Sequence, residues 1–148
     1  MKFKQLDKYF ISEMHDWGVP FLRVSLGVVF FWFGALKVIG ASPVADLIHA
    51  TYSFLPAQQF LFVLGVWEMA IGLGLIFKIA LRFTLFLLWL QMAGTFLALV
   101  LNPAIFFQNG NPLLLTIDGE FVVKNLVLIA SSLVIGGYSV KTSLPTKL

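Results

Sequence analysis

The sequence contains no cysteine. That excludes catalysis by the chain's own thiols, a disulfide relay and thiolate metal sites. Charge is also scarce, at 11% of residues, where a soluble domain carries about a quarter. The basic residues form no cluster interleaved with aromatics, so the net charge of +3 gives no footprint for nucleic acid. Histidine is rare, and His49 has no carboxylate or Cys partner at ligand spacing, so no metal site is expected. There is no internal repeat, no low-complexity stretch and no cofactor fingerprint for flavin, haem or nucleotide. No cleavable signal peptide is expected, because the first apolar run starts near Pro20 with no small-residue cleavage site after it.

Apolar side chains, in contrast, make up 59% of the 148 residues. A soluble fold of this size would leave large apolar patches in water, whereas a bilayer removes that problem. A membrane helix needs about 20 mainly apolar residues, and four windows qualify: 20–39, 58–77, 82–101 and 119–137. The expected fold is all-α, an integral membrane four-helix bundle formed by residues 20–137. Pro20 and Pro56 suit first helical turns, and Gly136-Gly137 suits a stop.

Positive charges fix an expected orientation. Lys2, Lys4 and Lys8 precede the first span, Lys78 and Arg82 flank the short second connection, and Lys141 and Lys147 follow the fourth span. The stretches 40–57 and 102–118 hold no Lys or Arg. By the positive-inside rule both termini face the cytoplasm of a bacterial inner membrane and the two long loops face outward. In segment 1–19, Phe3, Leu6, Phe10, Met14 and Trp17 recur at helical spacing, which predicts an amphipathic interfacial helix. Residues 138–148 form a cytoplasmic tail. Ser42-Pro43 starts a short helix over 43–53. Asn109-Gly110-Asn111-Pro112 is a turn whose apolar flanks fold back over the outer mouth of the bundle.

Ionisable groups inside a bilayer are costly unless paired or hydrated, so they carry the functional information. On the first span Arg23, Gly27, Phe30, Gly34 and Lys37 share a face. On the second Gly65, Glu68 and Gly72 do. On the third the face holds Thr84, Gln91, Thr95 and Ala98, and on the fourth Glu120, Lys124 and Ser131. With these stripes turned inward, the interior is polar and opens outward, where Lys37, Glu120 and Lys124 cluster. Asp118 is the expected N-cap of the fourth helix. The candidate ligand-binding residues are Lys37, Glu68, Gln91, Glu120 and Lys124, and no catalytic or metal-binding residue is assigned. Bland readings stand beside these. Arg23 reads first as a snorkelling anchor, Lys37 equally as an interfacial anchor, Glu120–Lys124 as a packing pair, and Gln91 as a helix–helix hydrogen bond. Glu68, at mid-membrane, is the hardest to dismiss.

Three segments carry a family resemblance: the first span from Arg23 to Lys37 (R-V-S-L-G-V-V-F-F-W-F-G-A-L-K), the second-span run G-V-W-E-M-A-I-G-L-G-L around Glu68, and L-T-I-D-G-E-F-V-V-K-N-L at the start of the fourth. Together they resemble the DoxX-like superfamily of small four-span membrane proteins, especially its reactive-chlorine-resistance (RclC-like) branch. The resemblance implies a four-helix membrane fold with a charged interior and an association with redox stress and quinones. This chain lacks the Cys pairs of disulfide-handling relatives, which argues against a thiol-relay role.

The expected function is therefore a stress-response or redox-associated membrane component that binds a quinone or lipid in a charged pocket. Lys37 and Lys124 would donate to a carbonyl or anionic head, with Glu68 accepting deeper in. Membrane lipids, a redox or stress-response protein and a second copy are the candidate partners. An enzyme acting alone is not expected, although a role as membrane subunit of a redox complex fits. The alternatives are a small proton-linked transporter and a non-enzymatic scaffold or assembly factor.

Overall fold

The computed structural model describes residues 2–52, 54 and 56–140; Lys141 and Lys147 of the predicted tail lie outside the described residues. Helix α1 runs Lys2–Val38, the short α2 Ala45–Thr51, α3 Ala57–Phe77 and α4 Leu81–Leu101. After a single turn, α5 (Pro103–Phe106), come α6 (Ile117–Val123) and α7 (Asn125–Ser139). Four helical stretches are long and apolar enough to cross a bilayer, with α6 and α7 together making the fourth. The 21 residues of α3 and of α4 rise about 31 Å each, matching a hydrocarbon core about 30 Å thick. The chain is a multi-pass membrane bundle in which α3 and α4 begin and end within one residue of the predicted spans.

Helices α1 and α3 form the tightest pair because both present glycine at their crossing. A Cβ on Gly27 would lie 2.8 Å from the Gly72 carbonyl oxygen, and one on Gly65 would lie 2.7 Å from that of Gly34. Real side chains do not occupy such gaps, so the antiparallel backbones touch only because these positions are glycine. The α3–α4 turn is short. Lys78 ends α3 in the left-handed conformation, and the Ile79 N–H returns to the Gly74 carbonyl at 3.0 Å. This is a C-terminal capping turn of the kind glycine usually makes. Leu26, Phe30, Ile71, Leu75, Leu88 and Ile135 pack the half of the bundle at the α3–α4 turn.

The structure corrects four expectations. Helix α1 does not start at Pro20 but runs through it. Pro20 leaves the Asp16 carbonyl without its helical donor, and because both residues are exposed the carbonyl is not stranded in a dry core. The side chains of residues 3–17 are almost all exposed, and the His15 ring meets that of Tyr138 at 6.3 Å. Arg23 does not simply reach for the surface: its guanidinium donates to the carbonyls of Leu75 and Ile76, capping the C-terminus of α3, where a cation is favoured by the helix dipole. Helix α2 starts after Val44, not at Ser42-Pro43. The N-cap of α6 is Thr116, whose Oγ accepts from the Gly119 N–H at 3.1 Å, and Asp118 sits in the first turn instead.

The predicted hairpin forms. Phe107 pairs antiparallel with Leu115, and the Gln108 N–H bonds the Leu114 carbonyl at 2.8 Å. Asn109 and Gly110 both take positive φ at the tip. The fold-back drives Phe106 fully into the bundle, where it closes the end opposite the α3–α4 turn.

Candidate ligand-binding site

Lys37, Glu68 and Gln91 come from three helices and meet in one place. The Lys37 Nζ donates to Glu68 Oε2 at 2.6 Å. The Gln91 Nε2 donates to Glu68 Oε1 at 2.5 Å. Both Lys37 and Glu68 are buried.

The backbone register explains the convergence. Lys37 Cβ lies level with Gly65, so Lys37 starts about one turn from Glu68, which is three residues further along α3. In a helix the Cα–Cβ bond tilts toward the N-terminus. In an antiparallel pair that tilt sends Lys37 down and Glu68 up, toward each other. Gly65 also makes room for the lysine stem, since a Cβ there would lie 2.9 Å from Lys37 Cβ. Lys37 lies in the last turn of α1, where its charge also complements the helix dipole. Glu68 and Gln91 each fall near the middle of a 21-residue helix, which brings them to one depth.

The carboxylate is thus satisfied at both oxygens, but the amide is not. A carboxylate only accepts, so Gln91 must turn its NH2 toward Glu68. Its Oε1 is then buried with no hydrogen-bond partner.

Above this cluster lies a cavity of about 340 Å³. Its walls come from α1 to α7, with Phe30, Tyr52, Trp67, Phe106 and Phe121 among them, and Lys37, Glu68 and Gln91 supply the polar patch. The outer polar groups of the wall are mostly committed. The Tyr52 hydroxyl donates to the Gly94 carbonyl at 2.7 Å, and Thr95 to the Gln91 carbonyl at 3.1 Å. Burial pushes the Tyr52 phenol above its ordinary value by disfavouring the phenolate.

The structure does not bring Glu120 and Lys124 to this site. They pair with each other at 3.5 Å, exposed on the outside, and neither lines the cavity. The inward face of the fourth span carries Val122, Asn125, Leu128 and Ser132 instead. Ser132 is buried and accepts from the Trp89 indole N–H at 2.8 Å, whereas Ser131 bonds back to its own helix. The expected polar stripe was one residue out of phase.

Asn125 is the wall residue that the charge count passes over. It lines the cavity, and among the described residues its side chain makes no hydrogen bond. An uncommitted amide within an apolar span was the signal, hidden by its charged neighbour Lys124. No group of three or more His, Cys, Asp or Glu residues that could hold a metal ion occurs among the described residues.

Comparison of the chain with protein-family models, curated proteins and solved structures finds no match.

Proposed function

We propose that this chain is a DoxX-like protein of the bacterial inner membrane that binds a small hydrophobic molecule, a quinone or a lipid, as part of a stress-response or redox-associated system. The observation that carries the binding reading is the cavity of about 340 Å³ with Lys37, Glu68 and Gln91 on its wall. Ligand pockets run from about 300 to 1,000 Å³, so this one fits a ring head group and a short part of any tail. A mainly apolar wall with a few convergent polar groups is the usual make-up of such a site. Packing alone does not call for a lysine and a glutamate at this depth, since apolar residues of similar volume would hold the helices as well.

In this reading both termini face the cytoplasm and the cavity end faces outward, as the distribution of Lys and Arg supports. Segment 2–17 meets the inner membrane surface. Its exposed Phe3, Phe10, Met14 and Trp17 meet lipid there.

Native mass spectrometry of the purified protein, with solvent extraction, tests the binding reading. A stoichiometric quinone or lipid, lost in Lys37→Met and kept in Lys124→Gln, is expected. A clean apo protein that also takes up no added quinone or lipid sinks it. Orientation is checked with single cysteines in this cysteine-free chain: Asn109→Cys should react with an impermeant maleimide in intact cells, and Ile79→Cys should not.

A further inference from the structure

We infer that the cavity selects an uncharged ring compound bearing a hydroxyl group, of the phenol or hydroquinone class, over a ligand that only accepts hydrogen bonds and over one with an ionic head. The inference rests on the cavity-binding reading and, for a quinone, narrows the ligand to its reduced, hydroxyl-bearing form.

Two features of the site lead there. The first is charge balance. Lys37 and Glu68 neutralise each other at 2.6 Å, and among the described residues no further charged side chain lines the cavity. An anionic or cationic head would therefore enter a low-dielectric space with no counter-charge to meet it, at a large desolvation cost.

The second is the hydrogen-bond inventory. Glu68 uses one lone pair on each oxygen; Asn125 keeps its amide uncommitted elsewhere on the cavity wall, and among the described residues the fully buried acceptor left with nothing is Gln91 Oε1. An unmet buried acceptor is costly, and the group that repairs it must donate. The terminal torsion of a glutamine is soft, so the amide can tilt its oxygen to a ligand against the wall. Lys37 has three N–H donors and spends one on Glu68. A hydroxyl placed between them accepts from Lys37 and donates to Gln91 Oε1. A ketone or ether oxygen accepts from Lys37 but leaves Gln91 unmet. The aromatic walls from Phe30, Trp67, Phe106 and Phe121 suit a flat ring behind that hydroxyl.

The test uses three matched probes, 4-hexylphenol, its methyl ether and 4-hexylphenyl phosphate, on the full chain in lipid nanodiscs. Binding is read by saturation-transfer NMR, with partition into empty nanodiscs subtracted. The phenol should bind at least ten-fold more tightly than the ether, and the phosphate should not compete. In Gln91→Leu the phenol and ether should bind within two-fold of each other. Equal binding of phenol and ether to the unmodified protein overturns the hydroxyl inference and leaves the cavity reading standing. Tightest binding of the phosphate overturns the charge argument. Failure of all three to bind overturns the cavity reading itself.

Discussion

The buried pair between Lys37 and Glu68 makes a prediction that separates two views of charges in membranes. If the pair exists only because each charge needs the other, removing one partner should be far worse than removing both. Lys37→Met keeps the length of the side chain but leaves the Glu68 carboxylate with only the Gln91 amide. Glu68→Gln keeps the shape but leaves the ammonium without its anion. Breaking a buried pair from one side costs about 3–5 kcal/mol, while replacing the whole pair with neutral groups of similar volume is often close to neutral. Each single variant should therefore lose about 3 kcal/mol or more, and the double variant Lys37→Met/Glu68→Gln about 1 kcal/mol or less.

The assay is equilibrium unfolding in mixed micelles, with sodium dodecyl sulfate as denaturant and tryptophan fluorescence as the signal. The coupling energy is the double-variant loss minus the two single losses, and it should be at least about 2 kcal/mol in magnitude. Additive losses would refute the reasoning, because they would mean that water or another group already serves each charge. A pair that breaks without measurable loss would refute it too.

Three further outcomes follow from the packing. Gly34→Ala places a Cβ 2.5 Å from the Gly65 carbonyl oxygen, where only backbone could yield, so it should loosen the α1–α3 pair by about 1–3 kcal/mol in the same assay. Gly94→Ala meets nothing within 4 Å and should gain up to about 1 kcal/mol from helix propensity. Arg23→Met removes the donors to the Leu75 and Ile76 carbonyls and should cost about 1–3 kcal/mol, with Arg23→Lys recovering part of it. Burial raises the Tyr52 phenol above its ordinary value, so its proton is held more tightly in the folded state than in the unfolded. Its contribution is complete below pH 10 and is lost as pH rises past that point. The Tyr52→Phe variant should lose less stability than the parent chain above pH 10, and parallel pH curves for the two would refute the assignment.

Much of the fold could be read from the chain because the bilayer enforces it. Helix α3 and helix α4 match their windows to within a residue, since an apolar run of the right length between polar turns has one use in a membrane. The inward faces of α1, α3 and α4 were also legible, because small residues and ionisable groups fell on the same stripe. What was not legible follows from two kinds of information that periodicity lacks. One is the reach of a long side chain. Lys37 starts near the end of α1, and only the antiparallel tilt of α1 and α3 shows that it turns inward to Glu68 and not outward to a head group. The other is which side of a helix faces inward when charge marks the opposite side. Gly119, Val122, Ser132 and Ile135 are the buried positions of the fourth span, so its charged residues, the natural markers of an inner face, lie outside while Asn125 and Ser132 lie inside. Arg23 is a second case of reach, since its partners are two backbone carbonyls that no pattern of side chains reveals.

The two ends of the bundle solve opposite problems. Toward the α3–α4 turn, Leu26, Ile71, Leu75, Leu88 and Ile135 fill the space between the helices, and Arg23 ties α1 to the end of α3. Toward the long loops, the same helices leave a hollow and set an ion pair and two amides on its wall. A bundle selected for stability alone would fill that hollow, because voids forfeit packing contacts and buried ion pairs rarely repay their desolvation. The chain also spends part of its sequence closing it: the hairpin centred on Asn109-Gly110 has no partner in the compact half, and its effect is to hold Phe106 over the cavity. Filling the space, for example by Ala98→Phe, should therefore raise stability while abolishing uptake of the phenol probe. If the filled variant kept full binding, the ligand would have to sit elsewhere on the bundle.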